Sequence, residues 1–272
     1  MSEVPPRPVR FADLSLRVAS GLVLAALALL NLWAGGVWAA AFISLALVLM
    51  FWEYHRMVTG SRGLAEPSLL LPCLAGVVAI AATARWGTPT GLLTLAAGTV
   101  AVVAATGAHR VWLTVGFLYM ALGLGALVVF RQREPEGALL ILWLVLVVVA
   151  ADVGAYFVGR RVGGRKLWPA VSPGKTWSGA IGGLAFAGLT GVVFGLAVGW
   201  SPTRIGLLSL GIAVCSQLGD LLESAVKRRF GVKDSSRLIP GHGGVMDRLD
   251  GILGGIWFFA ICHSLGIGAI GH

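Results

Sequence analysis

An all-helical protein that crosses a membrane about nine times is the fold this sequence predicts, and three observations predict it. Of its 272 residues, 57% are hydrophobic and only 12% are charged, and the mean hydropathy is +0.87. A soluble domain carries about 25% charged residues, so there is too little polar surface here to clothe a water-soluble body. The apolar residues gather in runs close to the ~20 residues that a spanning helix needs. None of these runs alternates with the period of two that marks a membrane barrel strand. The same apolarity excludes disorder.

The runs lie at 16–34, 37–52, 68–84, 90–107, 111–130, 138–158, 179–200, 205–222 and 249–269. The first follows Arg7, Arg10 and Arg17 and looks like a secretory signal. With eight more runs behind it, a retained signal anchor is the expectation. Charge then orients the chain. With the N-terminus in the cytoplasm and the C-terminus outside, only Arg85, Arg131, Arg133 and Arg204 of the 21 Lys and Arg residues face outward. Such a split follows the preference of basic residues for cytoplasmic loops. That preference also accounts for the net charge of +9 without a nucleic-acid partner. Cys73, Cys215 and Cys262 sit inside apolar runs with no paired spacing and read as packing residues.

Composition changes near residue 150. Residues 1–150 form a membrane region of five spans and most of a sixth, with short connections. Residues 151–272 form a second region, expected to be catalytic, with polar loops at 159–178 and 223–248 and charges set into the helices themselves. Gly179, Gly182 and Gly183, and later Gly251, Gly254 and Gly255, mark two helices expected to pack closely.

Six of the 12 acidic residues lie in this second region; Asp152 sits within the sixth apolar run and Asp220 near the end of the eighth. A carboxylate at membrane depth costs about 2.5–3.5 kcal/mol on insertion scales, so its default reading is functional. For Asp152 the alternative is a simple ion pair with Arg160 or Arg161, two turns on. Asp220, Glu223, Ser224 and Lys227 share one helical face at spacings of three, four and seven. Asp247 and Asp250 are likewise three apart at the start of the ninth run. Oxygen ligands of this kind suit a hard cation such as Mg2+, which takes one or two carboxylates and completes its shell with substrate phosphates. No His or Cys cluster has zinc spacing.

Lys175, Lys227, Arg228, Arg229, Lys233, Arg237 and Arg248 are interleaved with these carboxylates, and His242 stands among glycines in Pro240-Gly-His-Gly-Gly244. Phosphoryl chemistry needs charge neutralised by metal, Lys and Arg together. Ser172-Pro-Gly-Lys-Thr176 ends like a Walker A loop, but Pro169 stands where that motif requires glycine, and the motif is rejected.

The stretch from Ser224 to Asp250, with Ser224-Ala-Val-Lys-Arg228, Lys233-Asp234 and Leu238-Ile-Pro-Gly-His-Gly-Gly-Val-Met-Asp-Arg-Leu-Asp250, resembles the signature of the phosphatidate cytidylyltransferases, or CDP-diacylglycerol synthases. Asp152 with Ala155-Tyr-Phe157, and the Ser172–Thr176 run, resemble that family as well. The likeness is strong over about residues 150–255 and rests on hydropathy before that. It implies that CTP and phosphatidate give CDP-diacylglycerol and pyrophosphate, with Mg2+ as cofactor, room for a second cation, and a homodimer in the bilayer. On this reading Asp220, Asp247, Lys227 and Lys233 carry the catalysis, and Asp220, Asp247, Asp250 and Asp152 hold metal. Lys175, Arg228 and Arg248 hold phosphates, while Ser172, Thr176, Ser224 and His242 shape the pocket. The Arg-, Ala- and Gly-rich composition fits a bacterium, with the site on the cytoplasmic face of its inner membrane. A transporter would need repeat symmetry, which the spans lack. A CTP-dependent lipid kinase stays open; it would release CDP instead of pyrophosphate.

Overall fold

The computed structural model describes residues 20–267 other than 22, 24, 25, 32 and 134. The elements run α1 (Gly36–Thr59), α2 (Pro67–Trp86), α3 (Thr88–Ala105), a single 3-10 turn (Gly107–His109), α4 (Arg110–Arg131) and α5 (Gly137–Val162). A small hairpin follows, β1 (Lys166–Trp168) and β2 (Ser172–Thr176), then α6 (Trp177–Val198), α7 (Pro202–Arg229) and α8 (Met246–Ser264). Among the described residues, seven helices are long and apolar enough to cross a membrane: α1 to α7, with α4 counted together with the turn before it. The first expected span, 16–34, lies partly outside the described residues, and Arg7, Arg10 and Arg17 lie wholly outside them. The ninth expected span does form a helix, α8. It is not among the seven, because Asp247, Arg248 and Asp250 charge its start.

Punctuation in the sequence explains the helix limits. Pro67 and Pro202 open α2 and α7 at positions where a missing N–H costs nothing. Gly60 and Gly199 close α1 and α6 in left-handed conformations, with φ of 71° and 77°. The structure also revises the two expected loops. Helix α5 continues to Val162 and α7 to Arg229, so the long loops contract to 163–176 and 230–245. The first of these is not irregular: β1 and β2 pair antiparallel, with Lys166 opposite Thr176 and Trp168 opposite Ser172. The Thr176 hydroxyl then accepts the Gly179 N–H at 3.1 Å and caps α6.

Packing is most extensive along α5 with α6 and along α2 with α3, and α7 with α8 follows. A side chain at Gly183 would approach the Ala151 carbonyl to 2.7 Å, and one at Gly219 would approach the Asp250 carbonyl to 2.6 Å. Gly183, marked from sequence, and Gly219, which was not, thus set the distances between the helices that carry the acids. The core between the helices is filled by Phe51, Phe117 and Trp143, whose indole N–H donates to Ser209 at 2.9 Å. Outward positions such as Leu196, Leu207 and Val100 are apolar and exposed.

A first prediction concerns this packing. At Gly254 a methyl group would press into the carbonyl of Cys215 on α7, whereas at Gly125 it would meet nothing within 4 Å. Gly254→Ala is expected to destabilise by about 1–3 kcal/mol, as overpacked cores do. Gly125→Ala, in a helix interior, is expected to be neutral or slightly stabilising. Thermal unfolding of both variants in detergent checks the difference; equal midpoints would refute it.

Candidate functional site

Helix α7 carries the expected face intact. Because it stays helical through Arg229, Lys227 Nζ reaches back one turn to Glu223 Oε1 at 3.0 Å and across to Asp247 Oδ1 on α8 at 2.6 Å. The three side chains are only 5–11% exposed. One ammonium is shared by two carboxyl groups here, and among the described residues Glu223 Oε2 has no hydrogen-bond partner.

Asp247 lies in the first turn of α8, ahead of its apolar run, and is heavily committed. Its Oδ2 accepts the Gly244 N–H at 2.8 Å and the Ser235 N–H at 3.0 Å, with the Ser235 hydroxyl at 2.9 Å. Burial alone would raise this carboxyl, but the hydrogen bonds from Lys227 and the Gly244 N–H outweigh it and hold its pKa down at about 2. Spacing alone pairs Asp247 with Asp220 as a foremost metal ligand. In the structure its oxygens are turned to Lys227 and to the loop.

Sequence reasoning missed Glu53. It sits on α1, fully buried, and reaches the far end of the chain. Its Oε1 accepts from the Ser236 hydroxyl at 2.6 Å and the Val245 N–H at 2.9 Å. Its Oε2 accepts the Met246 N–H at 2.8 Å, with the Ser235 hydroxyl at 3.1 Å. The Ser235 proton can serve Glu53 or Asp247, one at a time. Val245 offers α8 no side-chain cap, so Glu53 supplies the cap from another helix and places a negative charge at the helix's positive end. Gly244 is required here, because a side chain would come within 2.6 Å of both Glu53 oxygens. An acid inside the apolar run Met50-Phe-Trp-Glu-Tyr54 was the available signal.

Two chambers flank these elements. One, of about 780 Å3, lies under the hairpin and is lined by Tyr156, Arg160, Lys166, Lys175 and Gln217. The other, of about 640 Å3, lies under the 233–243 loop and is lined by Lys227, Lys233, Arg237, His242 and Arg248. Asp152 and Asp220 line both, so the chambers meet at these two carboxylates. Asp220 Oδ2 pairs with Lys175 Nζ at 2.6 Å, and the Ser224 hydroxyl donates to Oδ1 at 3.3 Å. Asp152 is exposed to the chambers and forms no ion pair with Arg160, which instead donates to the Tyr156 hydroxyl at 2.7 Å. Asp250 borders the second chamber and accepts its neighbour's Gly251 N–H at 2.7 Å.

The remaining expected residues separate. Thr176 lines the first chamber while capping α6. His242 lines the second, its Nδ1 2.8 Å from the Ser20 hydroxyl. Ser172 starts β2 and lines neither chamber, and Arg228 donates to the Val232 carbonyl at 3.1 Å, away from both. Among the described residues, no three His, Cys, Asp or Glu side chains gather as a ready-made metal cluster.

The chain has well-marked relatives. The model of the cytidylyltransferase family matches residues 15–265. A phosphatidate cytidylyltransferase of Brucella suis is 38% identical over 247 residues, which cover 89% of this chain and 90% of that protein. One of Pseudomonas aeruginosa is 36% identical over 271 residues, covering 91% and 96%. One of Haemophilus influenzae reaches 48% identity over 137 residues, covering 48% of each.

Proposed function

The chain belongs to the cytidylyltransferase family, and from that membership we propose that it makes CDP-diacylglycerol and pyrophosphate from CTP and phosphatidate. The observation that carries the proposal is the junction at Asp152 and Asp220, where two cation-lined chambers open onto one pair of carboxylates. A reaction joining two phosphate-bearing substrates needs two such subsites with a shared centre.

We assign the triphosphate to the second chamber, where Lys227, Lys233, Arg237 and Arg248 supply charge, and the lipid phosphate to the first, beside Arg160, Lys166 and Lys175. A phosphate oxygen of phosphatidate forms the new bond to the α-phosphorus of CTP. The bond from that phosphorus to the β-phosphate bridging oxygen breaks, and pyrophosphate leaves with the electron pair. The attacking oxygen is already ionised at neutral pH, so no general base is required. Positioning by the two chambers and neutralisation by Lys and Arg supply the rate.

Mg2+ is the proposed cofactor. The donor chemistry fits: among the described residues Asp152 has no ion pair, Asp220 is half-exposed, and Asp250 borders the same chamber, giving hard oxygen ligands that substrate phosphates would complete. A cation held there would neutralise charge on the triphosphate. Asp247 serves differently, keeping Lys227 and the loop in place. The reading also includes nine spans, a cytoplasmic N-terminus and chambers facing the cytoplasm of a bacterial inner membrane; the distribution of Lys and Arg supports it.

The test uses purified protein in micelles with phosphatidate and CTP labelled at the α-phosphate. Label is expected to enter the lipid with one pyrophosphate released per lipid, and chelation of Mg2+ is expected to abolish it. Label that stays aqueous while CDP appears would replace this reading with the kinase.

A further inference from the structure

On the opposite side of the 232–238 loop from the second chamber lies another cavity, of about 860 Å3, between that loop and the C-terminal end of α1. Arg56, Arg62, Lys233 and Arg237 all line it, with Asp234 the single acid in its wall. Among the described residues none of these four cations is ion-paired with a carboxylate. Arg56 is held by its own helix, its guanidinium stacked 4.8 Å from the centre of the Trp52 ring. Sorting of basic residues to one face of a membrane explains how many cations lie on this side. It does not explain why four converge on one concavity with a single acid, where their mutual repulsion is only partly relieved and low-dielectric walls focus their field.

We propose that this cavity is a second anion site, taking a phosphate group that is not a reactant of the turnover next door. Three guanidinium forks with one ammonium beside them match phosphate oxygens. The group comes either from the headgroup of an anionic bilayer lipid or from a free anion such as pyrophosphate.

The site is coupled to the second chamber by shared residues. Lys233, Asp234, Ser236 and Arg237 line both cavities. Between them the loop is pinned, Ser235 by Asp247 and Ser236 by Glu53, so it has little freedom to move as a whole. A Lys233 or Arg237 drawn to an outer anion is withdrawn from an inner one, and two anions across one loop repel each other. Occupancy outside therefore weakens CTP binding inside, raising the KM for CTP with kcat little changed. That consequence rests on the proposed function; the binding itself does not.

The experiment measures binding of labelled pyrophosphate to the full chain in phosphatidylcholine nanodiscs, with excess unlabelled CTP and no phosphatidate, so that the inner chamber is filled. One pyrophosphate per chain is expected to bind. Arg56→Gln/Arg62→Gln is expected to weaken it about tenfold or more, the loss of charge-assisted hydrogen bonds to phosphate. The same variant is expected to keep its kcat and CTP KM in phosphatidylcholine. If the double variant does not fold, Arg62→Gln alone, exposed after the end of α1, is put through the same measurement. Adding phosphatidylglycerol to the nanodiscs separates the sources. Displacement of pyrophosphate, with a raised CTP KM in the unaltered protein but not in the variant, identifies a lipid headgroup. Undisturbed pyrophosphate identifies a soluble anion. Pyrophosphate that binds only when CTP is absent, or binds the variant equally well, overturns the second site. Because binding is read without turnover, a failed label transfer with intact pyrophosphate binding would sink the proposed reaction and leave this site standing.

Discussion

Asp220→Asn is expected to lower kcat/KM about 10^3-fold, the scale of removing a charge-stabilising group from a reacting centre. The unfolding temperature should hardly move. Asp220 pairs with Lys175 at 2.6 Å, but the two side chains are 35% and 27% exposed, and a half-exposed pair adds little to stability. Asparagine keeps an oxygen to accept from Ser224 and fills the same space. Only the charge at the junction of the two chambers is lost. If that charge helps to hold Mg2+, the residual activity should also need more Mg2+ for half-saturation. Asp152→Asn, which removes a carboxylate without an ion pair, should shift the Mg2+ requirement in the same direction. Near-normal turnover of folded Asp220→Asn, with an unaltered Mg2+ dependence, would remove the junction from the reaction.

Much of this arrangement was legible in the sequence because its signals are local. A run of apolar residues specifies a spanning helix without knowledge of its neighbours, and the runs recovered α1 to α7 to within a few residues at most ends. Spacings of three and four placed Asp220, Glu223, Ser224 and Lys227 together before any partner was known. The hairpin was not legible: its strands have three and five residues, and β2 contains Pro173 and Gly174, which strands disfavour. The hydrogen bonding of Asp247 was hidden for a different reason. Its spacing from Asp250 predicts a shared face, yet at a helix start the N–H groups of the preceding loop compete for the carboxylate. Ser235 and Gly244 capture Asp247, while among the described residues Asp250 accepts only from Gly251. Glu53 illustrates the limit most sharply. Its partners lie more than 180 residues away, and no local spacing connects Met50-Phe-Trp-Glu-Tyr54 with the loop that it holds.

Glu53→Gln is expected to lower kcat/KM about 10^2-fold without touching a substrate, because about 2–3 kcal/mol of loop anchoring is lost when buried donors go unmet. The carboxylate accepts from the Ser236 hydroxyl and from the Val245 and Met246 N–H groups. Glutamine has one oxygen, and its amide nitrogen would face a donor at Ser236 or at Met246. It also removes a negative charge from the N-terminus of α8. The Ser235 proton can turn wholly to Asp247, so that arm of the network survives the change. The equilibrium between the loop with Lys233, Arg237 and His242 in place and the loop released then shifts toward release by about 10^2. Amides from Ser235 to Met246 should therefore exchange with deuterium about 10^2 times faster, while those of α5 and α6 keep their protection. A residue that merely filled the core would lower the unfolding temperature and raise exchange throughout. Glu53→Gln should do neither to that extent, because the helices around it pack through Phe51, Phe117 and Trp143. Fast exchange confined to the loop, together with a matching loss of kcat/KM, assigns Glu53 to positioning; unchanged exchange with unchanged kcat/KM would show that the loop holds its shape without it.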